Sequence, residues 1–400
     1  MTVITDKEKI NAVLTRGVEA VLPTREKLAE QLASGNRIRL YCGFDPTAPS
    51  LHIGHAMQLR MLRRFQDLGH DVIMLIGSFT AMIGDPTDKT AARVPLSAEQ
   101  VMQNAKTWKK MASKFLRFTG ENKATLMHNH KWLAKMTLAD VLKLTSHFTV
   151  QQMMKRDMFA KRWEEQKEIS ITEFMYPLMQ GYDSVAMNVD LEIGGNDQLF
   201  NMLAGRTLQR AINNHEKSVL TLKLLTNDEG KKMSKSEGGF IAISDAPEDM
   251  YGKLMAMNDG MIVPYFELVT DMSTDDIAKV REQLASGANP RDVKMKLAKT
   301  IVTMFHTAAA AKRAEKHFVT VFQKGDAPEE MGEFHIDTVM SLADLLVTTK
   351  LAESKGEARR LVEQGGVTLD DAKLGDAFQS MTPGMTGVLR RGKRQFVRLV

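Results

Sequence analysis

Residues 37–77 read RIRLYCGFDPTAPSLHIGHAMQLRMLRRFQDLGHDVIMLIG. The first eight, 37–44, have the composition of a buried strand, closed by the turn-forming run Asp45-Pro46-Thr47-Ala48-Pro49-Ser50. From Gly54 the spacing becomes helical, with Met57, Met61, Leu62, Phe65 and Leu68 on one face until Gly69 ends the pattern. A second apolar strand follows over 71–77. Strand, loop, helix and strand in this order make a βαβ unit. Such a unit predicts a parallel sheet with its ligand at the C-terminal ends of the strands.

Beyond this unit the pattern predicts a helix over 97–118, capped by Ser97, and a strand over 125–127. Residues 136–162 read as helical and Met-rich, an inserted segment offering a partner surface. Further helices are expected at 172–187 and 197–211, with strands at 189–193 and 219–225. The last strand runs into a Gly- and Lys-rich loop at 227–239. Past Asp245 the strand signal fades, and helices start at Ser273 and at Asn289-Pro290. A Gly-, Pro- and Glu-rich break over 325–333 precedes a final unit. Three domains are therefore expected: 1–245, 246–330 and 336–400.

Composition sets the outer limits. Four hundred residues exceed one ordinary core. Hydrophobic residues at 43% and charged residues at 26% suit a globular protein in water. The apolar run 72–76 is far too short to cross a bilayer, and the polar start of the chain carries no signal-peptide pattern, so a cytoplasmic protein without membrane association is expected. Cys42 is the only cysteine, which excludes an intrachain disulfide and a cysteine-based zinc site; no protein metal cluster is evident. A net charge of +5 is compatible with an RNA partner.

Two separated motifs carry the chemistry. His52-Ile53-Gly54-His55 (HIGH) sits where the first strand turns into a helix, and there backbone N–H groups and the helix dipole favour an anion such as a nucleoside triphosphate. Gly54 removes a side chain where the nucleotide must approach the backbone, and His52 and His55 can donate to phosphate oxygens as charge grows on them. Lys232-Met233-Ser234-Lys235-Ser236 (KMSKS) lies in a loop flanked by Gly230 and Gly238-Gly239, so Lys232 and Lys235 can close over a departing pyrophosphate. A Walker-type GK[ST] loop is absent from the sequence, which disfavours a P-loop NTPase.

HIGH and KMSKS in this order resemble the signature pair of the class I aminoacyl-tRNA synthetases. The segments YCGFDPT at 41–47, IGDPT at 83–87, YPLMQGYD at 176–183 and GGNDQ at 194–198 narrow the resemblance to the bacterial tyrosyl-tRNA synthetases, in a KMSKS-bearing subgroup. The resemblance implies an α/β fold: a Rossmann-type parallel-sheet catalytic domain, then a small helical domain, then a C-terminal S4-like α+β RNA-binding domain. It implies ATP as substrate with Mg2+, L-tyrosine and tRNA(Tyr) as partners, and a homodimer with one tRNA spanning both subunits. By the same resemblance Tyr41 and Asp183 contact the substrate phenol, while Asp85, Tyr176 and Gln180 hold its ammonium group. Asp45, Asp197 and Gln198 would meet carboxylate and ribose, and Cys42, Gly43, Thr47 and Gly195 would line the nucleotide. Lys89 and Arg93 fall where the family carries a basic loop near the pyrophosphate.

The residues support these roles independently. Tyr176, Gln180 and Asp183 are spaced four and three apart, one face of a helix. A buried phenol needs a donor and an acceptor, which Tyr41 and Asp183 supply, and such a site rejects phenylalanine, a selectivity of which this family is a standing example. Three positions depart from the commoner pattern: Asn196 replaces a small hydroxyl residue, Leu199-Phe200 replace Trp-Gly, and KMSKS replaces a KFGKT-like loop.

The tail LAESKGEARRLVEQGGVTL at 351–369 resembles the S4 RNA-binding domain. A helix from Ser354 would carry Lys355, Arg359 and Arg360, with Lys355 and Arg359 on one face for RNA phosphates. From Thr338 onward ten Lys and Arg stand against seven Asp and Glu. The rival readings are a tryptophanyl enzyme, a shorter nucleotidyltransferase bearing HIGH, and a non-enzymatic RNA-binding paralogue. The first lacks the Tyr41 and Asp183 pair, the second lacks an RNA-binding tail, and the third should have lost motif residues.

Overall fold

Six strands make the principal sheet: β1 (Val18–Leu22), β2 (Arg39–Phe44), β3 (Asp71–Ile76), β4 (Thr125–His128), β5 (Leu191–Gly195) and β6 (Ser218–Leu222). Their order is β1-β6-β5-β2-β3-β4. Strands β2 to β6 run parallel, and β1 joins the β6 edge antiparallel. The computed structural model describes residues 2–87, 96–226, 240–324, 331–370, 372–392 and 395–400. By its internal contacts the chain divides into two units, 1–245 with 253–297 and 246–252 with 298–400.

In the first unit the chain steps outward from β2 through β3 to β4, then returns to the other side of β2 for β5 and β6. Between β2 and β5 the winding reverses, and in open α/β sheets that crevice is where ligands bind. Both neighbours of β2 are parallel strands, and such strands are covered on both faces, so their sequences are nearly continuous apolar runs. Leu40, Met74, Val189, Leu191, Val219 and Leu220 are accordingly excluded from solvent.

Helix α1 (Ile53–Asp67) connects β2 to β3 and buries Ile53, Met57, Met61, Leu62 and Phe65. Gly69 follows it at φ +96°, a conformation open to glycine, and a Cβ there would lie 2.9 Å from the carbonyl oxygen of Thr2. The outward side of α1 is tied down by arginines. Arg60 donates to Val269 O at 2.6 Å and pairs with Asp271, while Arg16 donates to Thr270 O at 2.7 Å. These guanidinium groups cap the C-terminus of the helix Ile262–Val269, where carbonyls lack intrahelical partners. Burial together with Arg60 and Arg16 draws Arg64 down to about 10.

Helices α2 (Ile171–Met187) and α3 (Leu199–Asn213) flank β5 and pack closely against each other. Gly181 permits this, because a Cβ on it would lie 3.0 Å from the backbone nitrogen of Gly205. Several expectations need correction. The helix expected at 97–118 is two, Ala98–Ala105 and Trp108–Ala112. The segment at 136–162 breaks into Leu138–Thr145, Val150–Met154 and Asp157–Glu164, with Thr137 and Thr149 each capping a new start. Strand β1 was not foreseen; its five residues between Gly17 and Pro23 are too few to show a period.

The second unit contains the helix Ala308–Phe318 and a five-stranded sheet. The strands are ordered Ala372–Lys373, Val367–Leu369, Gly387–Arg391, Gln395–Leu399 and Gly332–Phe334. Helices Leu342–Thr348 and Lys355–Glu363 pack on it through Leu342, Leu345, Leu346, Ala358 and Val362. Ser354 caps the second helix, as its sequence predicts.

Replacing Gly181 by valine should force α2 and α3 apart at a contact that is largely backbone. Overpacking of this kind costs about 1–3 kcal/mol, to be read as a lower midpoint in urea denaturation; an unchanged midpoint would mean the helices are not held at this distance.

Candidate active site

A cavity of about 260 Å³ opens over the crevice between β2 and β5. Strands β2 and β5 supply Tyr41, Gly43, Glu192 and Gly194; the turn after β2 supplies Asp45 and Thr47; the cap and first turn of α1 supply His52, Gly54 and His55. Helix α2 contributes Tyr176, Gln180 and Asp183, and the start of α3 is preceded by Asp197 and Gln198.

HIGH is the N-terminus of α1, and its histidines are the cap. His52 Nδ1 accepts from the N–H of Gly54 at 3.1 Å, and His55 Nδ1 accepts from the N–H of His52 at 3.2 Å. The two rings stack with centroids 3.7 Å apart. A neutral imidazole that accepts at Nδ1 carries its proton on Nε2, so the hydrogen-bond network makes Nε2 of each ring a donor. The same turn is fastened to the chain that follows KMSKS. Ile53 N–H donates to Ile241 O at 3.0 Å, Ile243 N–H donates to Leu51 O at 2.8 Å, and Phe240 meets the His52 ring edge-on at 5.5 Å.

The middle of the cavity is acidic. Asp45 accepts from the hydroxyls of Tyr176 at 2.8 Å and Thr80 at 2.7 Å. Gly77 makes room for it, since a Cβ there would fall 1.8 Å from Asp45 Oδ1. Asp85 accepts from Thr87 N–H at 3.0 Å, Thr87 Oγ1 at 2.6 Å and Gln198 Nε2 at 2.7 Å, with buried Arg156 at 3.6 Å. Burial first, then the charges of Asp45 and Asp85, lifts the Tyr176 phenol well above its usual range, so it stays a hydrogen-bond donor.

At the deep end, Tyr41 and Asp183 face the cavity from β2 and α2. Asp183 accepts from Trp132 Nε1 at 2.7 Å and Asn129 Nδ2 at 3.1 Å. Burial pushes its carboxyl well above the ordinary value, against the pull of those two donors. Tyr41 Oη lies 3.0 Å from Ser184 Oγ. Behind Ser184 is a buried ion pair, Lys217 with Glu192, and Glu192 also accepts from Gln180 Nε2 at 3.1 Å. Burial pulls the Lys217 ammonium down, and Glu192 opposes that.

Of the residues expected from sequence, the cavity gathers Tyr41, Gly43, Asp45, Thr47, His52, Gly54, His55, Asp85, Tyr176, Gln180, Asp183, Asp197 and Gln198. Cys42 is buried beside it and, like Gly195, does not line it. Lys89, Arg93, Lys232 and Lys235 lie outside the described residues. In the second unit Lys355, Arg359 and Arg360 are exposed on one short helix; Lys355 pairs with Asp344 at 2.5 Å, and Arg359 covers the Phe378 ring at 4.8 Å. Asn196, one of the departures, accepts from Thr221 Oγ1 at 3.1 Å and so ties the turn after β5 to β6. Sequence reasoning missed Ser184, Glu192, Lys217, Asn129 and Trp132. A signal for one was present: a glutamate inside an apolar strand has to be paired.

A parallel sheet with a ligand cavity at its winding reversal, walled by a histidine-capped helix, defines a nucleotide-binding α/β enzyme. Residues 33–323 match the family of tRNA synthetases class I (W and Y), and 324–399 match the tyrosine–tRNA ligase SYY-like C-terminal domain. The chain belongs to the class I tRNA synthetases of this tryptophan and tyrosine family. A tyrosine–tRNA ligase 2 from Vibrio cholerae is 44% identical over 389 residues, 97% of each chain. The tyrosine–tRNA ligase of Thermotoga maritima is 44% identical, over 99% of this chain and 98% of its own. Among solved structures, a C-terminally truncated mitochondrial tyrosyl-tRNA synthetase from Coccidioides posadasii superimposes with a TM-score of 0.62 at 26% identity, covering 77% of this chain and 91% of that one. A tyrosyl-tRNA synthetase from Archaeoglobus fulgidus, solved with L-tyrosine, shares the fold at TM-score 0.62 and 21% identity, covering 78% and 100%.

Because His52 is the cap of α1, His52→Ala should cost roughly 1 kcal/mol of stability while His52→Asn, whose side chain can cap, retains most of it. Urea denaturation of both variants checks this; equal losses would mean that the ring does not act as the cap.

Proposed function

We infer that the chain is a tyrosine–tRNA ligase. In the first step the tyrosine carboxylate attacks the α-phosphorus of ATP in line, giving tyrosyl-adenylate and pyrophosphate. In the second, a hydroxyl of the 3′-terminal adenosine of tRNA(Tyr) attacks the tyrosyl carbonyl carbon, forming the ester as the acyl–phosphate bond breaks and AMP leaves. The observation that carries the reading is the deep end of the cavity, where Tyr41 and Asp183 flank a space suited to a phenol hydroxyl. Neither step needs a protein nucleophile, so positioning and charge stabilisation suffice.

In this reading Asp85, Tyr176 and Gln180 take the ammonium group, and Asp45, Asp197 and Gln198 take carboxylate and ribose. The acidic lining suits the ammonium group and the ribose hydroxyls, the Gln198 amide is the donor for the carboxylate, and the same acidity would repel a triphosphate. The cations the triphosphate needs are proposed to be Lys232 and Lys235 of KMSKS with Lys89 and Arg93, supported by the Nε2 donors of His52 and His55. Gly43, Thr47 and Gly54 leave room for the nucleotide, with Cys42 and Gly195 behind it. Magnesium is proposed to arrive on the ATP phosphates, since it keeps several waters and needs few protein ligands.

The tRNA reading rests on the basic helix carrying Lys355, Arg359 and Arg360, with 1–245 as the catalytic region, 246–330 as the segment nearest the anticodon arm and 336–400 as the RNA-binding region. A homodimer is proposed on the strongly exposed Leu138, Leu142, Val150, Trp163 and Ile171, large apolar side chains that all come from one stretch of the chain, 138–171. Among the described residues no helix is long and apolar enough to cross a membrane. A cytoplasmic location is proposed because the tRNA is there.

Tyrosine should support ATP–pyrophosphate exchange, and phenylalanine and tryptophan should not. Exchange with tryptophan in place of tyrosine would overturn the roles of Tyr41 and Asp183. Lys235→Ala should slow adenylate formation by on the order of a hundredfold, with tyrosine binding nearly unchanged; equal effects on both would remove Lys235 from the chemistry. Leu142→Glu should shift the sedimentation coefficient from that of a dimer to that of a monomer, and a dimer that survives it would move the interface elsewhere.

A further inference from the structure

A substrate phenol between Tyr41 and Asp183 is recognised only if Tyr41 presents its proton to the cavity. Nothing in the Tyr41 side chain fixes that direction, because a phenol both donates and accepts. The register of the sheet places Glu192 of β5 directly beside Tyr41 of β2. A carboxylate so close would draw the Tyr41 proton inward, away from a ligand.

We propose that Lys217 and Ser184 form a hydrogen-bond relay that turns the Tyr41 proton toward the cavity and thereby sets the preference for tyrosine over phenylalanine. This rests on the tyrosine–tRNA ligase reading above. Lys217 has donors only, and it gives one to Glu192 Oε2 and one to Ser184 Oγ at 2.8 Å. Ser184 therefore spends a lone pair on Lys217 and keeps a single proton to donate. Its two acceptors are Tyr41 Oη at 3.0 Å and Glu192 Oε2 at 3.4 Å. The nearer is Tyr41, and Glu192 Oε2 is already held by the ammonium. Ser184 donates to Tyr41, whose own proton is left for the ligand oxygen.

The opposite wall completes the pair. Asp183 has one oxygen on Trp132 and the other on Asn129, so its remaining lone pairs accept the ligand O–H. The space for the relay is set by Gly205 of α3. A Cβ there would lie 2.6 Å from Lys217 Nζ and 2.9 Å from Ser184 Oγ. Ser184 and Lys217 are positioning residues: neither lines the cavity, and both act through Tyr41.

The test measures kcat/KM for L-tyrosine and L-phenylalanine in ATP–pyrophosphate exchange on the full chain. Ser184→Ala leaves the Lys217–Glu192 pair intact, so the fold is not asked to bury a lone charge. The tyrosine value should fall about three- to tenfold, the worth of one neutral hydrogen bond, with the phenylalanine value unchanged. Gly205→Ala, which displaces the ammonium from Ser184, should lower the same ratio without removing any polar group. Parallel losses for both amino acids, or an unchanged ratio in both folded variants, would overturn the relay and leave the ligase reading standing. A parent chain with no tyrosine-dependent exchange would overturn both.

Discussion

The deep half of the cavity is organised by one requirement: Glu192 is a carboxylate inside a strand buried on both faces. A lone charge in that position would cost several kcal/mol, so a cation and further donors have to reach it. Lys217 arrives from the residue before β6, Gln180 from one side of α2, and Ser184 from the next turn of the same helix. For these to converge, α2 and α3 must nearly touch, which is why glycines occupy 181 and 205. The pairing of β2 with β5 then brings Tyr41 alongside. The parallel sheet, the helix contact and the polar floor are thus parts of a single arrangement around one charge.

Much of the fold was legible because the parallel strands are buried. The run 72–76 is apolar without alternation, and ahead of it, from Gly54 to Leu68, the spacing is helical. Capping residues at Ser273 and Ser354 marked helix starts within a residue. What could not be read was decided by tertiary contacts. The segment at 136–162 keeps helical composition throughout, yet Thr137 and Thr149 offer competing caps that divide it into short helices. Strand β1 exists only because β6 offers it an edge.

The site divides in the same way. Residues on one helix, such as Tyr176, Gln180 and Asp183, could be assembled from spacing, and HIGH announced itself at a strand-to-helix turn. The groups behind them could not. Ser184, Lys217 and Trp132 come from three elements with no shared period, and only the folded sheet shows that they meet Tyr41 and Asp183. The histidines of HIGH also carry a second duty that the motif alone does not disclose: they close the N-terminus of α1 with their own rings.

The backbone bridge between residues 51–53 and 241–243 has a consequence for how the two motifs change over time. The start of α1 and the chain leaving the second motif form one mechanical piece, joined by peptide groups that only a substitution to proline deletes. Changes on the two sides share neighbours, and contacts of this closeness are where mutational effects cease to add. Epistasis between HIGH and residues 240–243 follows from this bridge: a substitution tolerated beside HIGH in one relative need not be tolerated in another whose residues at 240–243 differ.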